Sequence, residues 1–237
     1  MSDAGLQTDG GERPCAAMIL AAGRGERMRP LTDSTPKPML RVRDQPLIER
    51  NVNALVGGGI RRIVINLAWL GTQIRDYLGD GSRYGAVIRY SEEAPRALQP
   101  AGGIFRALPL LLPGPFVVVN GDVYSDFPLG TLSLAPDKDA HLVLVPNPEG
   151  YKGDFGLRDG LATPEERAGD SPLYTYAGIG IFRPTFFAGC SDGSFALKPL
   201  LLRAMSASRC SAQLFDGKWV DVGTPERLEA LNRAVGR

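Results

Sequence analysis

Apolar runs of strand length alternate with stretches of helical spacing along the first half of the chain. "AAMIL" (Ala16 to Leu20) is a short apolar run that reads as a buried strand. "PLIERNVNALVGGG" places Leu47, Ile48, Val52, Leu55 and Val56 at helical spacing and stops in three glycines, so a helix is expected there. Ile60 to Leu67 reads as the next strand, Trp69 to Leu78 as a short helix, and Ala86 to Ser91 as a third strand. A helix over Gly102 to Leu112 and a nearly all-apolar strand over Phe116 to Asn120 complete the series. Apolar strands alternating with helices predict an α/β fold whose mostly parallel central sheet is covered by helices on both faces. In such a sheet ligands bind beyond the carboxyl ends of the strands.

After about residue 125 the pattern becomes mixed. His141 to Pro146 and Tyr174 to Phe182 are strand-like, Phe195 to Met205 is helical, and Ser211 to Phe215 is another strand. "TPERLEALNRAV" closes the series as a helix with Thr224 as N-cap and Pro225 at the first helical position. No repeat or low-complexity linker divides the chain. The expected organisation is a loose tail over residues 1–14 and one domain over 15–237. Its nucleotide-binding part would end near residue 125, and an acceptor-binding part would follow.

Composition narrows the picture without adding to it. The 237 residues carry a formal net charge of +1, which excludes an overall field for nucleic acid or an anionic membrane. Cys15, Cys190 and Cys210 are odd in number and far apart, fitting neither a disulfide framework nor a zinc knuckle. With no apolar run long enough to span a bilayer and no signal-peptide core near the start, a cytoplasmic setting is expected.

The chemistry concentrates where two strands end. After Leu20, Ala21 and Ala22, Gly23 and Gly25 let the backbone approach a phosphate closely and present N–H groups to it. This is not a P-loop, since no Gly-Lys-Ser/Thr triplet follows, nor a dinucleotide fingerprint, since Met28 stands at the third glycine. A plain turn would also satisfy Gly-x-Gly, and a solvated loop would accommodate Arg24, Arg27 and Arg29. A solvated loop accounts poorly for Lys37, which Pro36 and Pro38 brace from both sides. At the other strand end "VVVNGD" leads through Asn120 to Asp122, a carboxylate suited to Mg²⁺ or, more plainly, to a turn. The single histidine, His141, is read as structural.

"AAGRGERMRPLT" followed by "PKP" resembles the signature of the sugar-1-phosphate nucleotidyltransferases, and the likeness runs from Ala16 to the C-terminal helix. The resemblance implies a Rossmann-like nucleotidyltransferase fold and Mg²⁺ as cofactor. It makes Leu20, Ala21, Ala22, Gly23, Gly25, Gln99, Gly102 and Asn120 nucleotide contacts. Arg27 and Lys37 become catalytic, the arginines of the loop holding the leaving pyrophosphate. Asp122, with Asp221 in "WVDVGT", becomes the metal pair. The implied substrates are a nucleoside triphosphate, UTP favoured, and a sugar-1-phosphate, handled by a monomer or small homo-oligomer without nucleic acid or membrane.

Within the family, "INLAWLGTQIRDYLGDGSRYG", "GGIFRALPLL", "VNGDVYSDF", "HLVLVPNP", "GDF" and "WVDVGT" resemble the uridylyltransferases of N-acetylmuramate-1-phosphate in cell-wall recycling. On that likeness Asn66, Asp154 and Gly178 would contact the acceptor sugar, with Trp69 on the same side. The loop from Gly150 to Ser171, with Lys152, Arg158 and Arg167, would make room for it. One stretch departs from the pattern: "LQPAGG" puts Pro100, which has no N–H, where the family has a donor, and leaves the Gln99 amide as substitute. Guanylyl transfer to mannose-1-phosphate and a non-catalytic nucleotide-sugar sensor are the readings this sequence leaves open beside uridylyl transfer.

Overall fold

Parallel strands with apolar faces form the spine of the molecule. The computed structural model describes residues 10–93, 97–165 and 172–235. The strands in chain order are β1 (Ala16–Leu20), β2 (Arg41–Val42), β3 (Gln45–Pro46), β4 (Arg62–Leu67), β5 (Val87–Glu92), β6 (Phe116–Asn120) and β7 (Val123–Ser125). They continue with β8 (Ala140–Val145), β9 (Phe155–Arg158), β10 (Leu161–Thr163), β11 (Leu173–Phe182), β12 (Cys210–Leu214) and β13 (Trp219–Asp221). The helices are α1 (Leu47–Gly57), α2 (Gly71–Leu78), α3 (Gln99–Leu111), α4 (Leu197–Ser206) and α5 (Pro225–Val235).

Nine strands share one mixed sheet in the order β5-β4-β1-β6-β11-β8-β12-β10-β9. The first four run parallel, and β11 pairs antiparallel with both β6 and β8. Chain order reverses around β1, with β4 and β5 on one side and β6 on the other, so a crevice is expected beyond the ends of β1 and β6. The glycine loop after β1 and the Asn120–Asp122 turn after β6 open there.

Each face of the sheet carries its own core. On one face Ile19, Ile63, Ile65 and Val119 pack with Ile48, Val52 and Leu55 of α1. On the other, Met18, Val64 and Val118 pack with Ile104, Ala107 and Leu111 of α3 and Leu201 of α4. The alternation within one strand, Met18 to one side and Ile19 to the other, explains why these strands read as continuous apolar runs.

Part of the expected tail is tied to the fold. Residues 1–9 of the expected tail lie outside the described residues. Residues 12–14 correct that expectation, because Glu12 pairs with Leu134 through backbone bonds of 2.8 and 2.9 Å, and its carboxylate accepts from Arg183 at 2.7 Å. Thr224 caps α5 as expected, accepting the Arg227 N–H at 3.4 Å.

His141 sits on β8 between Ser211 (2.8 Å from Nδ1) and Gln213 (2.9 Å from Nε2) on the neighbouring β12. Burial holds its pKa below the usual 6.5. The folded protein therefore binds fewer protons than the unfolded chain once pH falls below 6.5. Stability from this group is complete above that pH and declines below it. Substituting glutamine, His141→Gln, should flatten the fall in melting temperature between about pH 7 and pH 5.

Candidate active site

Gly25 turns the chain after β1, with φ of +69°, a conformation that only glycine adopts without strain. A Cβ there would lie 3.0 Å from the Thr32 methyl and 3.1 Å from Lys37 Cβ, so the turn and the lysine pack directly. Thr32 locks the arrangement: its hydroxyl donates to the Gly25 carbonyl at 2.8 Å. Its own carbonyl accepts from Arg24 at 2.6 Å and from the Trp69 indole at 3.0 Å, with the Arg24 guanidinium stacked 3.7 Å above that indole.

Lys37 follows in a single helical turn, Lys37–Met39. Pro38 is buried against Gly121, where an added Cβ would lie 3.2 Å from the proline ring and 2.7 Å from the Leu20 carbonyl. Packing the proline on the residue before Asp122 brings the Lys37 ammonium into an ion pair with the Asp122 carboxylate. The lysine side chain is only 12% exposed, so both charges stand where water screens them weakly.

A pocket of about 220 Å³ opens between the two loops. Leu20, Ala21, Ala22 and Gly23 form one wall, Lys37, Asn120 and Asp122 another, and Gln99 and Pro100 a third. With Asn66 and Pro38, eleven residues singled out in the sequence thus gather at one cavity, beyond the ends of β1 and β6.

Asp221 reaches the same region through a second, two-stranded sheet. β13 pairs antiparallel with β7, setting Asp221 opposite Val123, and the Val222 N–H donates to the Asp122 carbonyl at 3.0 Å. A Cβ on Gly223 would lie 3.0 Å from Asp221 Oδ2 and 3.4 Å from guanidinium nitrogens of both Arg27 and Arg227. Arg27 therefore approaches Asp221 over Gly223, and neither side chain is among those lining the pocket.

Several expectations need correction. Gly102 does not face the pocket: its N–H donates to the Phe195 carbonyl at 3.2 Å, and a Cβ on it would strike the Gly193 carbonyl at 2.2 Å. Gly25 is not among the lining residues and acts through its turn. Asn66 lies in the glycine-loop pocket, away from Asp154 and Gly178. Its side chain is fully engaged, Oδ1 accepting from the Ala21 N–H at 2.7 Å and Nδ2 donating to Glu93 at 2.6 Å. Trp69 likewise serves the glycine loop. Gln99 does line the pocket beside Pro100, with its amide donating to Ser194 at 3.3 Å. Arg24 and Arg29 both pair with Asp33 at 2.9 Å, leaving Arg27 as the arginine of this loop turned toward Asp221.

Asp154 and Gly178 stand together on the other side of Asn120. Asp154 Oδ2 accepts the Tyr176 N–H at 2.9 Å, where β11 changes register between Tyr176 and Gly180. Gly178, at φ +69°, packs under the Asn120 amide, which a Cβ would meet at 2.5 Å. Arg167 lies outside the described residues.

Three side chains at the site escaped the sequence. Glu93 is buried in the pocket and accepts from both Asn66 and the Leu98 N–H, at 2.6 and 2.7 Å. Nothing but its place after a strand marks it, and one of two adjacent glutamates reads as solvated. Tyr151 donates to Asp221 Oδ2 at 2.8 Å, and Arg227 to the same oxygen at 3.1 Å. Burial, with the hydrogen bond to Asp221, holds the Tyr151 phenol above its ordinary pKa, so it stays a donor at neutral pH.

The Nucleotidyl transferase family model matches residues 16–159, the stretch that carries the glycine loop, Lys37 and Asp122. The chain belongs to the nucleotidyl transferase family. The N-acetylmuramate alpha-1-phosphate uridylyltransferase of Neisseria meningitidis is 50% identical over 228 residues, covering 93% of this chain and 98% of that one. A protein of the same name from Caulobacter vibrioides is 32% identical, over 91% and 94% of the two chains. Among solved structures, HddC from Yersinia pseudotuberculosis complexed with GMP-PN superposes with a TM-score of 0.74 at 19% identity. It covers 93% of this chain and 99% of its own. That likeness is one of fold, and it agrees with the α/β sheet described above.

For a metal, two carboxylates are on hand. Among the described residues no group of three or more His, Cys, Asp or Glu side chains could hold an ion. Asp122 and Asp221 on adjacent strand ends still suit Mg²⁺, which binds through one or two carboxylates together with substrate phosphates and waters. Each aspartate carries a cationic partner, Lys37 for one and Arg227 for the other.

Proposed function

We propose that this nucleotidyl transferase moves a uridylyl group from UTP to N-acetylmuramate-1-phosphate and releases pyrophosphate. The reading makes it a cytoplasmic, Mg²⁺-dependent enzyme returning an activated cell-wall sugar to synthesis. The whole chain from about residue 15 would act as one catalytic unit, as a monomer or small homo-oligomer. The observation that carries the reading is the 50% identity to a uridylyltransferase of this acceptor across nearly all of both chains.

The site's chemistry supports it. A sugar-phosphate oxygen is already anionic, so its attack on the α-phosphorus needs no general base. What remains is to align two polyanions and neutralise charge as it shifts to the leaving pyrophosphate. Lys37, packed on the Gly25 turn, would contact the reacting phosphates. Gly23 would present open backbone to the triphosphate, since among the described residues no atom beyond its chain neighbours lies within 4 Å of where its Cβ would stand. Arg27 would take pyrophosphate oxygens, and Asp154 would orient the acceptor from beyond Asn120. Asp122 and Asp221 would hold Mg²⁺, which when bound would offset charge on the phosphates.

Pyrophosphate release tests the proposal, with UTP, GTP, dTTP and CTP crossed against the 1-phosphates of N-acetylmuramate, N-acetylglucosamine, glucose and mannose. Turnover should peak at UTP with N-acetylmuramate-1-phosphate, despite Pro100 in the pocket wall. A peak at GTP with mannose-1-phosphate would replace the assignment, and silence across the grid would leave a nucleotide-sugar sensor.

A further inference from the structure

Asp221 is held by more than its own strand. Its Oδ2 accepts from the Tyr151 hydroxyl at 2.8 Å and from Arg227 at 3.1 Å. Arg227 also donates to the Tyr151 oxygen and lies over the tyrosine ring, 4.8 Å from its centroid. The three groups form a closed triangle in which every pair is in contact. Each comes from a different part of the fold: Asp221 from the end of β13, Arg227 from the first turn of α5, Tyr151 from the loop between β8 and β9.

The tyrosine is the unexpected member. Its loop is otherwise fastened at its two ends, by Asn147 to the Leu173 carbonyl at 2.9 Å and by Asp154 to the Tyr176 N–H at 2.9 Å. Between those points Tyr151 reaches across to the carboxylate, three residues before the aspartate assigned to the acceptor sugar. A single hydroxyl thus joins the acceptor loop to the candidate metal side.

We propose that Tyr151, backed by Arg227, is a positioning residue that sets the Asp221 carboxylate for Mg²⁺ and ties the acceptor loop to it. The proposal rests on the assignment of Asp221 as a metal ligand. A carboxylate with two torsions and a single strand to support it can rotate away from an ion. A phenol and a guanidinium on the same oxygen fix that rotation and leave the other oxygen for an ion. Hydrogen bonds of this kind to ligating groups commonly carry about 10-fold to 100-fold in metal affinity. The guanidinium also orients the phenol, so that its proton points to Asp221.

The test replaces one atom. Tyr151→Phe keeps the ring against Arg227 and removes only the hydroxyl, and circular dichroism and the melting temperature check that the fold survives. Mn²⁺ affinity is read by water-proton relaxation enhancement with a non-hydrolysable UTP analogue present, which distinguishes protein-bound ion from ion on free nucleotide. Tyr151→Phe should weaken Mn²⁺ binding by about tenfold. KM for the sugar phosphate should rise while KM for UTP stays near that of the parent. Addition of Mn²⁺ should perturb the near-ultraviolet tyrosine absorption of the parent and leave the variant unchanged. Asp221→Asn serves as reference. If it weakens Mn²⁺ binding and Tyr151→Phe does not, the positioning role is wrong and the metal assignment stands. If neither weakens binding, Asp221 is not a ligand and the proposal falls with that assignment.

Discussion

Lys37→Ala is expected to lower kcat for nucleotidyl transfer by about a thousandfold, roughly 4 kcal/mol of transition-state stabilisation. The magnitude follows from where the ammonium stands. It is mostly buried, so its field acts through a medium of lower dielectric than water, and its position is fixed before substrate arrives. Pro38 packs on Gly121 beneath it and the Gly25 turn packs beside it, so the base of the lysine is held in place before substrate arrives. A lysine serving only to neutralise Asp122 would give a different result. Its removal would then cost about 1 kcal/mol of stability, and turnover would stay within a few fold of the parent. Pyrophosphate release measured beside the melting temperature separates the two roles, and retained turnover would sink the catalytic one.

Asp122→Asn is the second large effect, a fall in kcat of at least about a hundredfold at saturating Mg²⁺. The amide keeps the shape and removes the charge, so both the partner of Lys37 and a candidate metal ligand are lost. Raising the Mg²⁺ concentration should recover part of the activity, because weaker binding is overcome by mass action while misplacement of Lys37 is not. The two residues touch, so their effects should not multiply. The double variant Lys37→Ala with Asp122→Asn should lose much less than the product of the single losses. Full multiplicativity would mean that the ion pair does not operate as a unit.

The parts of the site legible in sequence share one property: each follows a strong local signal. Gly23 and Gly25 come directly after an apolar run, Lys37 stands between prolines, and Asp122 ends another apolar run. Strand ends in a parallel sheet point the same way, so motifs at those ends must meet whatever the details of packing. The misreadings arose where a side chain's partner comes from far along the chain. Asn66 stands one residue before the end of β4 and Asp122 just after β6, yet the Asn66 amide turns inward to Ala21 and Glu93 and its sequence position gives no sign of that. The resemblance makes Gly102 a nucleotide contact, but the segment 193–195 lies across it and takes both its N–H and its open face. Arg24 and Arg29 are the local exception: Asp33, their shared partner, lies on the same loop, and its geometry depends on the turns between them.

The sequence by itself determined the α/β class, the order of the main strands and helices, and the two loops that carry the chemistry. Hydrophobic period and turn residues are local properties, and buried strands and helices must satisfy them wherever they pack. Only the tertiary structure decided which polar groups are spent within the protein and which face the pocket. Hydrogen-bond and charge partners of Glu93, Tyr151 and Asp221 lie as far as 76 residues apart along the chain, as Arg227 does from Tyr151. No local pattern encodes those distances, because the pairing energy of such groups depends on burial and orientation that arise only when the sheet and helices have closed on one another.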